Sequence, residues 1–369
     1  MFNYTGDYIK SKTTYGSEFY MFTPAPLCKN LSIDVDNELL SLLTAAHKLL
    51  GVLEGMVAFL PDQISVQKLM RLKECCHSIN IDYRNSLSFR DALKRISSGQ
   101  EELGTISNLF AAHQYAYDKS AGHPVLTEIY GIVESKTTAD QRVDVRKTAT
   151  PLGDFITNFK TYSPTSPEHI MPAFYDMVKF IHMDNNVDIL IKAAMAHYQF
   201  EMIHPYDRYN GLLGRIMIQM ILLNAQYKAA SYMCLSEYLE TYKEAYFDKL
   251  SATQRGSGFL PWIKFLVKGI CISADQAIIR IRRLIETISE DEKRITDLAL
   301  PSKYTNAVYN HYKQHLISEI IPISDQLGIS YNTAAKVVKS LADANILVLE
   351  QRQSRHKVYF HRAMVAFEQ

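Results

Sequence analysis

Residues 189–226 read ILIKAAMAHYQFEMIHPYDRYNGLLGRIMIQMILLNAQ, and this stretch decides the fold. Ile191, Ala194, Met195, Tyr198 and Met202 recur at helical spacing, and Leu213, Ile216, Met217 and Met220 do so again after a polar break. Each segment has the length and apolar content of one buried helix. In the break, His204-Pro205-Tyr206-Asp207-Arg208-Tyr209-Asn210-Gly211, Pro205 ends the first helix and the second opens near Asn210 or Gly211. A mainly α protein follows.

The break carries the chemistry. Free amides at the start of the second helix point back toward His204, and a helix N-terminus behind a Gly-containing turn favours an anion. Arg215, one turn further in, is placed for a charge-assisted contact to a second phosphate, and on an apolar helix it needs an anionic partner. His204 stands where it can accept a proton from an incoming hydroxyl. The spacing sets a base opposite a bound polyphosphate, although a His-Pro pair between helices is by itself usually only a turn.

His204, Pro205, Tyr206, Asn210, Gly211, Gly214 and Arg215 resemble the signature H-P-F-x-[D/E]-G-N-G-R-x-x-R of the Fic (filamentation induced by cAMP) family, and AHYQFEMIHP is close to its usual lead-in. The resemblance implies a Fic/Fido helical core with a β-hairpin flap, and transfer of AMP from ATP to a protein Ser, Thr or Tyr hydroxyl. On it, His204 is the catalytic base. Asp207, Asn210, Gly211, Leu212, Leu213, Gly214 and Arg215 surround the nucleotide, the amides of Asn210 to Leu213 holding the α- and β-phosphates and Arg215 the distal one. Tyr246 matches an aromatic beside the adenine, with core packing as the plainer reading of its stripe. Three positions depart. Arg208 stands where the family has the acid that binds Mg2+, Tyr209 replaces the first Gly, and Leu212 replaces the first Arg. ATP is the expected ligand, with UTP or a choline-containing nucleotide as alternative donors. Mg2+ is expected to bind poorly, no metal ligand is assigned, and transfer is expected to be weakened. The alternative is a catalytically impaired nucleotide-binding or DNA-binding regulatory protein.

Toward the N-terminus, residues 1–34 read as irregular, and the pattern predicts helices over 36–60 and to about residue 82. The second resembles the Fic helix ending in K-E-A-x-x-S-S-x-I-E-G, whose acid pairs with the last Arg of the signature and obstructs the site. Here Ser78 and Asp82 take the serine and acid positions. Leu53-Glu54-Gly55 is the alternative match, and a solvated acid is the bland reading of Asp82. Two or three more helices are expected over 86–135, and a β-hairpin around Pro151-Leu152-Gly153 takes the place of the family's flap, with a surface loop as its alternative. Val143-Asp144-Val145-Arg146 stands for the P-G-x-x-R that precedes the flap in the family.

On the other side, LSEYLETYKEAYFDKL reads as one helix and residues 258–290 as two closing helices. From Thr305 the pattern becomes helix, short helix, helix and two strands, which predicts a winged helix-turn-helix. Residues 301–369 carry eight Lys/Arg against five Asp/Glu. Lys336 and Lys339 on the third helix and Arg352, Arg355 and Lys357 on the wing make DNA an expected partner; a dimerisation or docking module is the alternative. The organisation expected is an N-terminal helical region with the obstructive helix over 1–110, the Fic core over 111–295 and the winged helix over 300–369.

At 369 residues and 47% hydrophobic content the chain holds real cores, and 40 basic against 39 acidic residues give no global pull toward nucleic acid or membrane. No signal peptide is read at the N-terminus, and the longest apolar runs fall short of a membrane span. Cys28, Cys75, Cys76, Cys234 and Cys271 have no metal-ligand spacing and suit a reduced, cytoplasmic protein. The partners expected are a target protein hydroxyl, DNA and no membrane, with a homodimer left open.

Overall fold

The computed structural model describes residues 4–12, 18–29, 33–60, 62–83, 87–97, 103–119, 121–134, 144–148, 163–297, 303–350 and 357–368. The predicted flap hairpin around Pro151–Gly153, and Arg352 and Arg355, lie outside the described residues.

The chain opens on an antiparallel hairpin, β1 (Gly6–Lys12) and β2 (Glu18–Pro24), where irregular chain was expected. Met21 and Phe22 of β2 are both buried, so that strand lacks the period-two alternation that marks a half-exposed one. Two acid-capped helices follow. In α1 (Asn37–Ala58), Asp36 accepts from Leu39 N–H at 2.9 Å, and in α2 (Gln63–Asp82), Asp62 accepts from Ser65 N–H at 2.9 Å. By length and composition α1 is apolar enough to cross a membrane, which corrects the reading that no run suffices. Its buried residues, Leu39, Leu43, Ala46, Leu50, Leu53 and Val57, follow one face that packs on the long C-terminal helix of the core.

After α3 (Phe89–Ser97), α4 (Thr105–Ala116), α5 (His123–Val133) and α6 (Pro167–His182) come the central helices α7 (Ile189–Ile203) and α8 (Asn210–Asn224). Every residue of α7 from Leu190 to Ile203 is buried, the polar Lys192, His197, Gln199 and Glu201 included. Gly214 permits the close approach of α8. A Cβ there would lie 2.8 Å from Glu201 Oε1 and 2.9 Å from His197 Cε1.

The segment read as one helix over 235–250 breaks at Tyr242 into α9 (Leu235–Thr241) and α10 (Lys243–Ala252). The two closing helices are instead a single 38-residue helix, α11 (Leu260–Asp297). Gly269 reads as a breaker in sequence but serves packing, since a Cβ there would sit 2.6 Å from the Tyr238 ring.

The last unit runs α12 (Thr305–His315), β3 (Ile317–Glu319), α13 (Ile320–Leu327), α14 (Tyr331–Asp343), β4 (Leu347–Leu349), β5 (Val358–His361) and the short α15 (Val365–Glu368). The strand β3 was not foreseen; it joins β4 and β5 in an antiparallel sheet of order β3-β5-β4. Val308, Tyr312, Ile323, Val338, Leu341 and Ile346 form a separate small core. Ion pairs tie this unit to the rest. Arg362 reaches Glu290 and Asp291 of α11 at 2.7 Å each, and Arg90 of α3 lies 3.2 Å from Glu350.

Candidate functional site

The loop between α7 and α8 is held from both ends. α7 stops where His204 turns left-handed (φ 47°, ψ 63°), with its N–H on Phe200 O at 2.8 Å. The orphan carbonyls of that helix end are met by Arg146, which is only 3% exposed. Its guanidinium donates to His204 O at 2.7 Å, Ile203 O at 3.2 Å, Thr148 O at 3.0 Å and Thr165 O, and its backbone N–H donates to Pro205 O at 2.8 Å. On the α8 side, the Asn210 side chain accepts from Tyr206 N–H at 2.9 Å and donates to Tyr206 O at 2.7 Å. Tyr206 stacks on Tyr130 with centroids 4.4 Å apart.

Arg146 was legible only as the end of a short motif; its side chain bonds carbonyls up to 58 residues away, which no local pattern reports. Arg146→Met is expected to destabilise the protein by about 3 kcal/mol or more, because several buried carbonyls lose a charged donor together. Urea unfolding measures this, and a loss below about 1 kcal/mol contradicts the role.

At the start of α8 the amides of Asn210, Gly211 and Leu212 are the ones without an intrahelical acceptor, because Leu213 N–H already bonds Tyr209 O at 3.0 Å. This shortens the expected amide set by one. Leu212 and Leu213 have fully buried side chains, and Gly214 faces α7, so among these three only the Leu212 amide is open to a ligand. The carboxylate of Asp82, the last residue of α2, lies against this helix start. A Cβ on Gly211 would be 2.9 Å from one of its oxygens and 3.0 Å from the other. Arg215 is buried beneath. It bonds Asp82 Oδ2 at 2.6 Å, Ser78 Oγ at 2.7 Å and Ser78 O at 2.8 Å. Burial opposes the Arg215 charge, but Asp82 outweighs it and holds the guanidinium above its ordinary value. Glu54, the alternative acid, accepts from Ala229 N–H at 2.7 Å and takes no part here.

Arg215 Nη1 and His204 Nδ1 have no hydrogen-bond partner among the described residues. Burial pushes the His204 imidazole down to about 3, and the Arg146 charge adds to the shift, so His204 is neutral at pH 7. His197, under the site, is also pushed down to about 3, first by burial; its Nε2 lies 2.9 Å from Tyr246 Oη. Tyr246 is 1% exposed between His197 and Trp262, which places it in the core.

These two histidines fix a pH dependence. Both folded values lie below the unfolded value near 6.5, so the unfolded state binds more protons between pH about 3 and about 6.5. Stability is complete above that window and falls as pH drops through it. The urea midpoint is expected to decline from pH 7 to pH 5, and a flat profile contradicts the burial of neutral imidazoles.

Residues 107–222 match the profile of the Fic/DOC family. The chain carries a Fic/DOC domain. Over 66 residues it is 29% identical to protein adenylyltransferase fic-1 of Caenorhabditis elegans, a match covering 17% of this chain and 13% of that protein. Over 84 residues it is 26% identical to a probable protein adenylyltransferase of Aquifex aeolicus (strain VF5), covering 23% of this chain and 26% of that protein. The matched segments thus span about a quarter or less of these relatives. In structure, the chain resembles a Fic family protein from Desulfovibrio desulfuricans G20 with a TM-score of 0.58 and 15% identity, over 90% of this chain and 98% of that one. A Fic domain containing signalling protein from Bacteroides thetaiotaomicron VPI-5482 aligns with a TM-score of 0.50 and 14% identity, over 64% of this chain and 98% of that one. The mainly α architecture is that of Fic family structures.

Within the Fic domain the departures from the signature have a physical setting. Tyr209, at the place of a Gly, sits at φ 64°, a conformation in which glycine is at ease and tyrosine strained. Arg208 is exposed and turned onto that ring, its guanidinium 4.9 Å from the centroid and 2.8 Å from Tyr209 Oη. Asp207 is exposed beside it. Arg208 thus puts a cation at the position of the metal-binding acid, and Asp207 supplies the adjacent carboxylate. Away from the domain, Lys336 and Lys339 are exposed on α14, and Lys357 is exposed before β5.

Proposed function

We propose that the chain is a Fic-type protein adenylyltransferase, weakened by its altered signature and held at rest by α2. The observation that carries this reading is the Asp82 carboxylate packed against Gly211 and paired with buried Arg215. An internal anion there occupies the place a nucleotide phosphate takes at a helix N-terminus. ATP binding displaces it and gives Arg215 and the amides of Asn210, Gly211 and Leu212 a new partner. Neutral His204 then takes the proton of a target Ser, Thr or Tyr hydroxyl; its oxygen attacks the α-phosphorus and pyrophosphate leaves. Ser78 and Asp82 are inhibitory in this reading, and no step runs through Mg2+.

The unit over 300–369 is read as a winged helix, with Lys336, Lys339 and Lys357 offered to DNA or a docking partner. Residues 1–110 form the inhibitory region and 111–295 the transferase core of a cytoplasmic protein. A second reading, a nucleotide-binding regulator without transfer, is favoured by Arg208 and Leu212 standing where the signature has an acid and an Arg. Calorimetry with ATP beside labelled-ATP self-modification separates the two. Transfer lost in His204→Ala supports the enzyme, and binding without transfer supports the regulator.

A further inference from the structure

Asp82 stands on the last turn of α2, and that turn rests on Arg215. The guanidinium donates to Ser78 O at 2.8 Å as well as to the Asp82 carboxylate, and Tyr83 N–H closes the turn on Ile79 O at 2.9 Å. Helix ends open at little cost unless the chain beyond them is docked. Only residues 83–88 separate Asp82 from α3, so whatever fixes α3 also restrains this turn.

The last unit of the chain grips α3. Lys94 lies 2.7 Å and Arg90 3.2 Å from the two oxygens of Glu350, and Arg90 reaches Glu368 at 3.4 Å. The Arg90 guanidinium also lies 4.7 Å from the centre of the Phe360 ring of β5. The buried Phe89 ring stacks on Phe367 of α15 with centroids 6.4 Å apart, and the Lys73 ammonium of α2 is 6.0 Å from the same ring. Leu316, Ile317, Met364 and Phe367 belong with Phe89 and Leu93 to the main core, not to the small core of their own unit. α3 thus joins the last unit to the Asp82 end of α2.

We propose that the last unit governs Asp82. Docked on α3, it keeps the last turn of α2 wound; drawn off α3, it lets the turn open and Asp82 leave Arg215. The inference rests on Asp82 as the resting occupant of the phosphate site, and adds the element that sets how firmly this occupant is held.

Amide hydrogen exchange of the full-length chain reads this coupling without nucleotide. Glu350→Lys turns its pairs with Arg90 and Lys94 into repulsions, and Phe367→Ala removes the stacked ring. Adding Lys94→Glu to Glu350→Lys restores a pair of opposite charges. Both single variants are expected to exchange about tenfold faster or more in α3 and over residues 79–83, with α7 unchanged. The double variant should return toward the native rates. ATP affinity, measured by calorimetry, should rise about fivefold or more in Glu350→Lys, and Glu350→Lys should add nothing in an Asp82→Ala background. Faster exchange in α3 with residues 79–83 at their native rate overturns the proposal. So does native exchange of α3 in both single variants, or an equal loss of protection in α7, which marks general destabilisation. Faster exchange over 79–83 with ATP affinity unchanged, there and in Asp82→Ala, upholds the coupling and contradicts Asp82 as the occupant.

Discussion

Asp82→Ala is expected to raise the affinity for ATP by about 10- to 100-fold, a gain of about 1.4 to 3 kcal/mol. In the resting chain the carboxylate sits 2.6 Å from the Arg215 guanidinium and against Gly211, so a phosphate must displace one anion before it can bind. Removing it clears the start of α8 and leaves the buried Arg215 without its counter-charge. The same substitution lowers stability. Stripping the partner from a buried charge costs about 3–5 kcal/mol, and here the loss falls at the lower end because the Asp82 side chain is 24% exposed and Ser78 still holds Arg215. Ligand linkage then adds a signature: ATP should raise the melting temperature far more in Asp82→Ala than in the native chain, since phosphate replaces the lost carboxylate. Equal ATP affinity in the two proteins, measured by calorimetry, contradicts the assignment of Asp82 to the anion site.

The second large effect concerns Mg2+. The native chain is expected to bind ATP with little or no help from Mg2+, and Arg208→Asp to make binding and transfer Mg2+-dependent. Two unit charges about 4 Å apart at an effective dielectric near 20 interact by about 4 kcal/mol, more for a divalent ion. Arg208 is exposed and paired with the Tyr209 ring, so solvent screening reduces this to about 1–3 kcal/mol. Exchanging the cation for a carboxylate reverses its sign and supplies a hard oxygen ligand. The expected change is at least tenfold in Mg2+-stimulated labelling. Robust Mg2+-dependent labelling by the native chain shows instead that Arg208 is no obstacle.

The centre of the fold was legible because its signals are local. α7 is buried all round, Pro205 and Gly211 punctuate the loop, and the Ser78–Asp82 spacing lies on one helix. Arg215 announced its need for a partner by standing alone on an apolar helix. What the sequence hid depends on distant packing. β2 buries the neighbours Met21 and Phe22 on opposite faces and so lost its alternation; Gly269 looks like a helix end until Tyr238 is seen against it. Arg146 caps α7 across 57 and 58 residues, and Gly214 serves the contact with His197 and Glu201 rather than the cleft. Tyr246 is the intermediate case, an aromatic stripe whose burial only the packing of His197 and Trp262 reveals.

The central claim is that His204 faces a phosphate site now held by Asp82. Transfer of label from α-labelled ATP to protein tests it most directly, in Asp82→Gly and in the Asp82→Gly, His204→Ala double variant. The account predicts labelling in the first that exceeds the native chain, and none in the second. No labelling in Asp82→Gly, or labelling that survives the loss of His204, contradicts it.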